Sequence, residues 1–429
     1  MPTRHCIHWN VSILVFVLSL CVLHVALSED PPLRVYSSRW MECYDKYVTK
    51  TEKHLDVTYD NTSATDIIST RLLTQDDTYD LYVIDAFNGL YQIKTKDYYD
   101  ALNSSISLKR AYDTLYPAFQ KLVLTDDGDL ACWIMFAQPF VMKADMELLQ
   151  RLGMTVPQTF TDLIDSCLAL MNNENFPWED YCLIGGEYAF DQRSMLEFYM
   201  DYYLITGQRQ HGPVNFENDD FMRSVMYIRD HVPYDDPSEG ENPVFDIPAA
   251  FEHISTEMQF IPEVTPIEKS ALETYATVAI LNPYSHHKED AIAFLEWCAS
   301  NPSPNSYFYK ADLSDPVVNP SIVTRKAEVE ADLQLLKKSE QTEAVQHQIE
   351  EKEQQIGILE QNQYYISEQD IRWYKDNLAD RLFVSEGRPI MYDSMLDLYS
   401  QQFLEGICSA SEFAHACQTH IDMVYLELQ

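Results

Sequence analysis

The chain has 429 residues, enough for two or three domains that each bury a core. A hydrophobic content of 46% with 20 Pro and only 11 Gly excludes a disordered or fibrous chain. A formal net charge of −38 repels phosphate backbones and sets nucleic acid aside as a partner.

The N-terminus has the build of an export signal. Arg4 precedes an apolar run of 17 residues, Val11 to Leu27. Ala26-Leu27-Ser28 is a small-x-small site, and Glu29-Asp30-Pro31-Pro32 follows, so residues 1–28 read as a signal peptide cleaved after Ser28. The run carries Ser12, Ser19 and His24 and sits at the short edge for a membrane span. A retained anchor is one alternative. A lipid on Cys21 is another, although Leu20 stands where such signals use a small residue. Beyond residue 28 the chain holds 29 Lys and Arg against 68 Asp and Glu, a balance of −39. It also holds seven cysteines: Cys43, Cys132, Cys167, Cys182, Cys298, Cys408 and Cys417. The number is odd and no pair has CxxC spacing, which fits buried free thiols. Bridges between Cys408 and Cys417, or between Cys167 and Cys182, stay open in an oxidising exterior.

The predicted elements alternate. Residues 33–38 form a short apolar strand, 41–54 a helix, and 55–60 an alternating strand. Ile67, Ile68, Leu72 and the stem of Arg71 give 64–75 a helical spacing. The apolar run at 80–86 suits a strand buried on both faces. Alternation of this kind implies βαβ units and a largely parallel sheet. Asp127-Gly128 between two apolar runs predicts a β-hairpin over 121–134. Val123 stands where a calcium loop needs an acid, so Asp126, Asp127 and Asp129 read as turn residues. Residues 144–172 read as helix, glycine stop, proline turn and a second helix capped by Thr159 with Asp162 three residues on. The acidic, proline-rich 233–243 reads as an exposed loop.

Residues 325–362 contain no proline. Val345, Ile349, Ile356 and Leu359 make one narrow stripe with Lys352 in the missing slot, and Val329, Leu333 and Leu336 make another. The pattern predicts a charged helical hairpin with a coiled-coil-like seam. It is either a solvated insertion packing on itself or a docking arm.

The stretch 281–300, LNPYSHHKEDAIAFLEWCAS, follows an alternating strand at 274–280. Asn282-Pro283 ends the strand, Ser285 is positioned to cap a helix, and Ala291, Ile292, Leu295, Cys298 and Ala299 form its apolar face. His286 and His287 are neighbours, about 100° apart on a helix, and do not make the i, i+4 pair of a zinc site. They read as solvated residues at the helix start.

This strand–NPYS–helix segment resembles the corresponding segment of the extracellular solute-binding proteins of ABC importers, the family-1, maltose-binding-protein-like group. The resemblance continues in the right order. DLYVIDAFNGLYQIKTKDYYDALNSS (80–105), residues 113–163 and the closing residues 399–427 each look like the family's segments. Ala144-Asp145 replaces the family's usual tyrosine-asparagine pair, and the 325–362 arm is additional.

The resemblance implies an α/β fold of two lobes joined by crossing strands, with the helical hairpin inserted. Lobe 1 is expected over 33–138 with 274–312, and lobe 2 over 139–273 with 313–429. It implies capture of a small solute, above all a sugar or oligosaccharide, by cleft closure outside the cell, and delivery to a membrane permease. It implies a monomer with no catalytic residue, cofactor or metal. In open α/β sheets ligands sit at the carboxyl ends of strands. That places Ser38, Arg39 and Trp40 after the first strand, and Asp85 and Phe87 after the third. Phe136 and Gln138 lie in the stretch where the resemblance puts binding residues. Tyr188 and Phe190 follow Gly185-Gly186, and Tyr392 lies in the closing helical region. Aromatic faces stack on sugar C–H faces, while Asp85, Gln138 and Arg39 orient hydroxyls. The rival readings are a secreted carbohydrate hydrolase and a sensor that docks through the arm. No GxSxG, HExxH, P-loop or GxGxxG motif is present.

Overall fold

A computed structural model describes residues 31–60, 64–209, 214–238, 240–250, 258–260, 272–302, 317–338, 343–361, 363–386 and 392–427. The expected signal peptide lies outside them. Among the described residues no helix is long and apolar enough to cross a membrane.

The chain opens with β1 (Leu33–Ser37), α1 (Glu42–Thr51), β2 (Leu55–Tyr59), α2 (Ala64–Leu73) and β3 (Leu81–Asp85). β1 pairs in parallel with both β2 and β3, as the alternation predicts. Leu81, Tyr82 and Val83 are fully buried, in keeping with a strand covered on both faces. Helices α3 (Leu90–Thr95), α4 (Ile106–Tyr112) and α5 (Pro117–Val123) follow. Residues 121–123, expected as a hairpin strand, are therefore the end of a helix. Pro117 presets its first turn and Phe119, Leu122 and Val123 are its buried side. The expected hairpin shrinks to one bridge, Leu124 to Leu130, around Gly128 at φ +88°. The second apolar run pairs elsewhere.

That run is β4 (Trp133–Asp145), and it joins two cores. Residues 133–139 pair with β8 (Leu272–Leu281), whereas 140–144 pair with β6 (Asn242–Ala250). Trp133, Ile134, Ala137 and Val141 pack in one hydrophobic core, and Met142 and Ala144 pack in another. The changeover falls between Val141 and Met142. The main sheet runs β2-β1-β3-β8-β4-β6-β5, where β5 is Tyr181–Gly186, and β7 (Met258–Phe260) pairs with β4. The pairs β3–β8, β8–β4, β4–β6 and β4–β7 are antiparallel, so the sheet is mixed and not largely parallel as the alternation implies.

Between β4 and β8 the chain builds the second core with α6 (Met146–Arg151), α7 (Phe160–Met171), β5 (Tyr181–Gly186), α8 (Gln192–Arg209) and α9 (Asp219–His231). The stop after α6 is Gly153 at φ +71°, and Thr159 and Asp162 form a full capping box on α7. Such a cap contributes about 1 kcal/mol. Gly185 and Gly186 let β5 lie against β6, since a Cβ would meet Pro243 Cβ at 2.6 Å from the first and the Ile247 carbonyl oxygen at 2.6 Å from the second.

β8 returns the chain to the first core and leads into α10 (Lys288–Ser300). Ser285 is not the cap of this helix. Its buried hydroxyl donates to Asp80 Oδ1 at 2.7 Å and accepts from the His287 amide at 2.9 Å, and the helix starts at Lys288. Asp80 recruits it because that fully buried carboxylate needs donors; it also accepts from the Arg34 amide at 2.8 Å. His286 is exposed and reaches Asp77 Oδ2 at 3.1 Å.

Strands β9 (Val317–Val318) and β10 (Tyr364–Ile366) pair at the base of the expected arm, made of α11 (Pro320–Lys338) and α12 (Glu343–Gln361). Val329 and Leu333 are buried in its seam. Val345, Ile349, Lys352, Ile356 and Leu359 are all half-buried, so the lysine does occupy the missing slot. Lys326 to Glu360 at 2.8 Å, Lys337 to Glu353 at 2.7 Å and Lys352 to Asp332 at 3.4 Å set the antiparallel register.

After the arm come α13 (Glu368–Asn377) and β11 (Leu382–Phe383), then α14 (Ser394–Leu404) and α15 (Ala410–Glu427). Ile371, Tyr374, Leu378, Leu382 and Val384 pack in the first core, and the chain rejoins the second from Tyr392 onward. The expected assignment of all of 313–429 to lobe 2 therefore gives way at 371–384. The physical reason is that α13 carries its own apolar stripe and β11 pairs in parallel with β8.

Candidate ligand cleft

The carboxyl ends of β1 and β3 converge on the middle of β4 and β8, where the chain changes cores. The register brings the residues together. Asp85 on β3 and Phe136 on β4 both stand opposite Thr277 of β8, and Gln138 stands opposite Tyr275.

The loop after β1 is held by its backbone. The Ser38 amide donates to Val83 O at 2.9 Å, and Ser37 Oγ donates to Arg39 O at 2.6 Å. This turn lays the Arg39 guanidinium over Phe136, 4.5 Å from the ring centroid, and near Tyr275 at 5.4 Å. Tyr275 is also flanked by Phe87 at 5.7 Å and Phe136 at 6.2 Å between ring centroids. The Ala86 amide donates to Ala276 O at 2.8 Å and pins the loop that carries Phe87.

Asp85 is the polar centre. It accepts from Thr277 Oγ1 at 3.0 Å and Ser38 Oγ at 3.3 Å, and the Tyr275 hydroxyl bonds to it as well. Burial first, and the bond to Asp85 second, push the Tyr275 phenol up to about 12. It therefore stays a neutral donor across the physiological range. Ser38, Arg39, Asp85, Phe87 and Phe136 thus form one group on the first lobe, with Gln138 at its edge. Trp40 is 55% exposed at the end of the same loop.

Sequence reasoning missed Tyr275 and Thr277. The available signal was the alternation in TYATVAI, which puts the two on one strand face while Ala276 and Val278 point into the core.

The remaining candidates lie on the second lobe. Tyr188 is half-buried, donates to Asp201 Oδ2 at 3.0 Å and packs on Phe198. Burial, then the Asp201 charge, raise its phenol far above the ordinary range. Tyr392 is half-buried, and burial is the main cause of its raised phenol, with Asp397, Glu197 and Asp201 adding to it. Asp397 also lies beside Glu197, whose carboxyl is raised by burial first and by Asp397 next. Phe190 is a correction: it is 0% exposed and belongs to the second core. Its place after the double glycine makes it a candidate binding residue, but its ring packs in the core before α8 begins. Among the described residues no group of His, Cys, Asp and Glu is arranged to hold a metal ion.

These features define a class of fold: two α/β lobes sharing crossing strands, with polar and aromatic side chains where the crossing occurs. This is the two-lobed fold of the solute-binding proteins that serve ABC transporters, and many solved structures share it. A solute-binding protein from Agrobacterium radiobacter in complex with ribitol superposes with a TM-score of 0.56 at 12% identity, covering 92% of this chain and 100% of that one. The cyclic alpha-maltosyl-1,6-maltose binding protein from Arthrobacter globiformis gives 0.58 at 13% identity, covering 92% and 99%. A substrate-binding protein from Listeria monocytogenes in complex with cycloalternan gives 0.55 at 10% identity, covering 92% and 98%. The chain matches no protein-family model and no curated protein.

Proposed function

We propose that the chain captures a small solute, a sugar or oligosaccharide, in the cleft between its lobes and breaks no bond in it. The observation that carries this is the grouping of Arg39, Asp85 and Phe87 around Phe136 and Tyr275 of the crossing strands. Ring faces beside fixed donors and acceptors suit a molecule with C–H faces and hydroxyl edges. Tyr188 and Tyr392 are the second lobe's contribution in this reading. Two of the fold neighbours named above are in complex with ribitol and with cycloalternan, and the third is named for binding cyclic alpha-maltosyl-1,6-maltose, which supports the same ligand class. The captured solute passes to a membrane permease on the outer face of the cell membrane.

A ligand that touches both lobes favours the closed form, because only that form makes both sets of contacts. It also stabilises the fold by RT ln(1 + [L]/Kd), about 2.7 kcal/mol at a hundredfold excess over Kd. The test is a thermal-shift screen over saccharides and polyols, with scattering profiles for each positive compound. A raised Tm with a smaller radius of gyration is expected. Steady release of cleaved product from a glycan panel would replace this reading with a hydrolase.

A further inference from the structure

Helices α1 and α10 pack antiparallel, and their side chains interlock in a fixed register. Tyr47 meets Phe294 at 4.9 Å and Trp297 at 5.3 Å between ring centroids, and Tyr44 stacks on Phe294 at 6.2 Å. Lys53 Nζ reaches Asp290 Oδ1 at 2.8 Å at the far end of the same contact. The start of α10 thus lies beside the end of α1, with Asp290 at Lys53 and Phe294 a turn further on at Tyr47. Continued by one more turn, that register faces Cys43 with Cys298, and the two thiols do lie within hydrogen-bonding reach of each other. Burial first, and the neighbouring Cys43 thiol next, raise the Cys298 thiol well above the ordinary range. Cys298 is 9% exposed, whereas Cys43 is half-buried and offers the way in.

We infer that Cys43 and Cys298 are a disulfide pair that an external disulfide oxidant closes, stapling the helix after the cleft loop to the helix after the crossing strand. The chemistry is thiol–disulfide exchange. The Cys43 thiolate attacks one sulfur of oxidised glutathione and expels the first glutathione. The Cys298 sulfur then attacks Cys43 in the mixed disulfide and expels the second. Two S–H bonds are lost and one S–S bond forms. The two protons and two electrons leave on two molecules of reduced glutathione.

Both helices belong to the first lobe, so closing the bond leaves lobe motion free. It removes conformational freedom from the unfolded chain across a very long loop. The test uses the full chain, incubated with oxidised glutathione at pH 8, alkylated, digested without reductant and mapped by mass spectrometry. A Cys43–Cys298 linked peptide is expected, with a Tm about 5 °C above that of the reduced chain. Cys43→Ser should abolish that difference between oxidising and reducing buffer. Alkylation of both thiols after oxidation, or a link from either to another cysteine, overturns the inference. The mapping needs only the native chain, so it decides the matter even where a variant folds poorly.

Discussion

Arg39 and Phe136 are 97 positions apart in the chain (136 − 39), yet the guanidinium carbon lies 4.5 Å from the ring centroid. The contact fixes the direction of a long, flexible cation beside the strand that crosses between cores. Phe136→Ala should cost about 0.5–1 kcal/mol of stability through the lost cation–π contact. It should weaken a captured saccharide about tenfold, because Arg39 is no longer held in place. Calorimetric titration of native chain, Phe136→Ala and Phe136→Tyr checks this, and the tyrosine variant should retain most of the affinity.

Tyr275→Phe keeps the ring between Phe87 and Phe136 but removes the hydroxyl bonded to Asp85. A hydrogen bond to a charged group is worth about 1.5–3 kcal/mol. Denaturant unfolding should show a loss toward the lower end, since Thr277 and Ser38 still serve the carboxylate. An unchanged midpoint would mean that the Tyr275 hydroxyl does not hold Asp85.

Asp393 accepts from the Met395 and Leu396 amides at the start of α14 and from His420 Nε2 at 2.7 Å. Burial alone would raise its carboxyl, but the Leu396 amide and His420 outweigh it and bring it below the ordinary 3.8. A carboxylate depressed on folding contributes stability above its unfolded value, and that contribution is lost as pH falls through the folded value. The native chain should therefore lose stability more steeply below pH 3.8 than Asp393→Asn does. Thermal scans from pH 6 down to about pH 2 compare the two limbs.

Glu197 has the opposite sign. Burial and Asp397 raise its carboxyl, so ionisation at neutral pH opposes folding and protonation relieves the cost. Glu197→Gln should be more stable than the native chain at pH 7, by about 0.5 kcal/mol for a half-exposed group. The advantage should shrink as the medium is acidified. A destabilised variant would show that Glu197 makes a bond on which the fold depends.

The arm stands on its own seam. Replacing residues 319–363 by a short flexible linker removes the buried Val329 and Leu333 together with the ion pairs that join α11 to α12. Neither leucine nor valine belongs to either lobe's core. The Tm of the rest should change by no more than about 3 °C, and solute affinity by less than about threefold. A collapse of folding would mean that the arm is part of a lobe.

The sequence by itself determined the local elements, because each is written in a period or a cap. The buried run at 81–85, the capping box at Thr159 and the stripe broken by Lys352 are local patterns that packing had no need to override. It also carried the strand–turn–helix segment at 274–300 and, through it, the class of fold. Only the tertiary structure decided which strands pair and which side chains meet. The run after Gly128 looked like half of a hairpin, yet it crosses to a second core because β8 and β6 offer it longer partners than its own upstream residues do. Tyr275 joined the cleft only when register placed β8 between β3 and β4, and Phe190 left it when its loop turned inward. Contacts between residues far apart in the chain leave no trace in a local period, and the candidate cleft is made of such contacts.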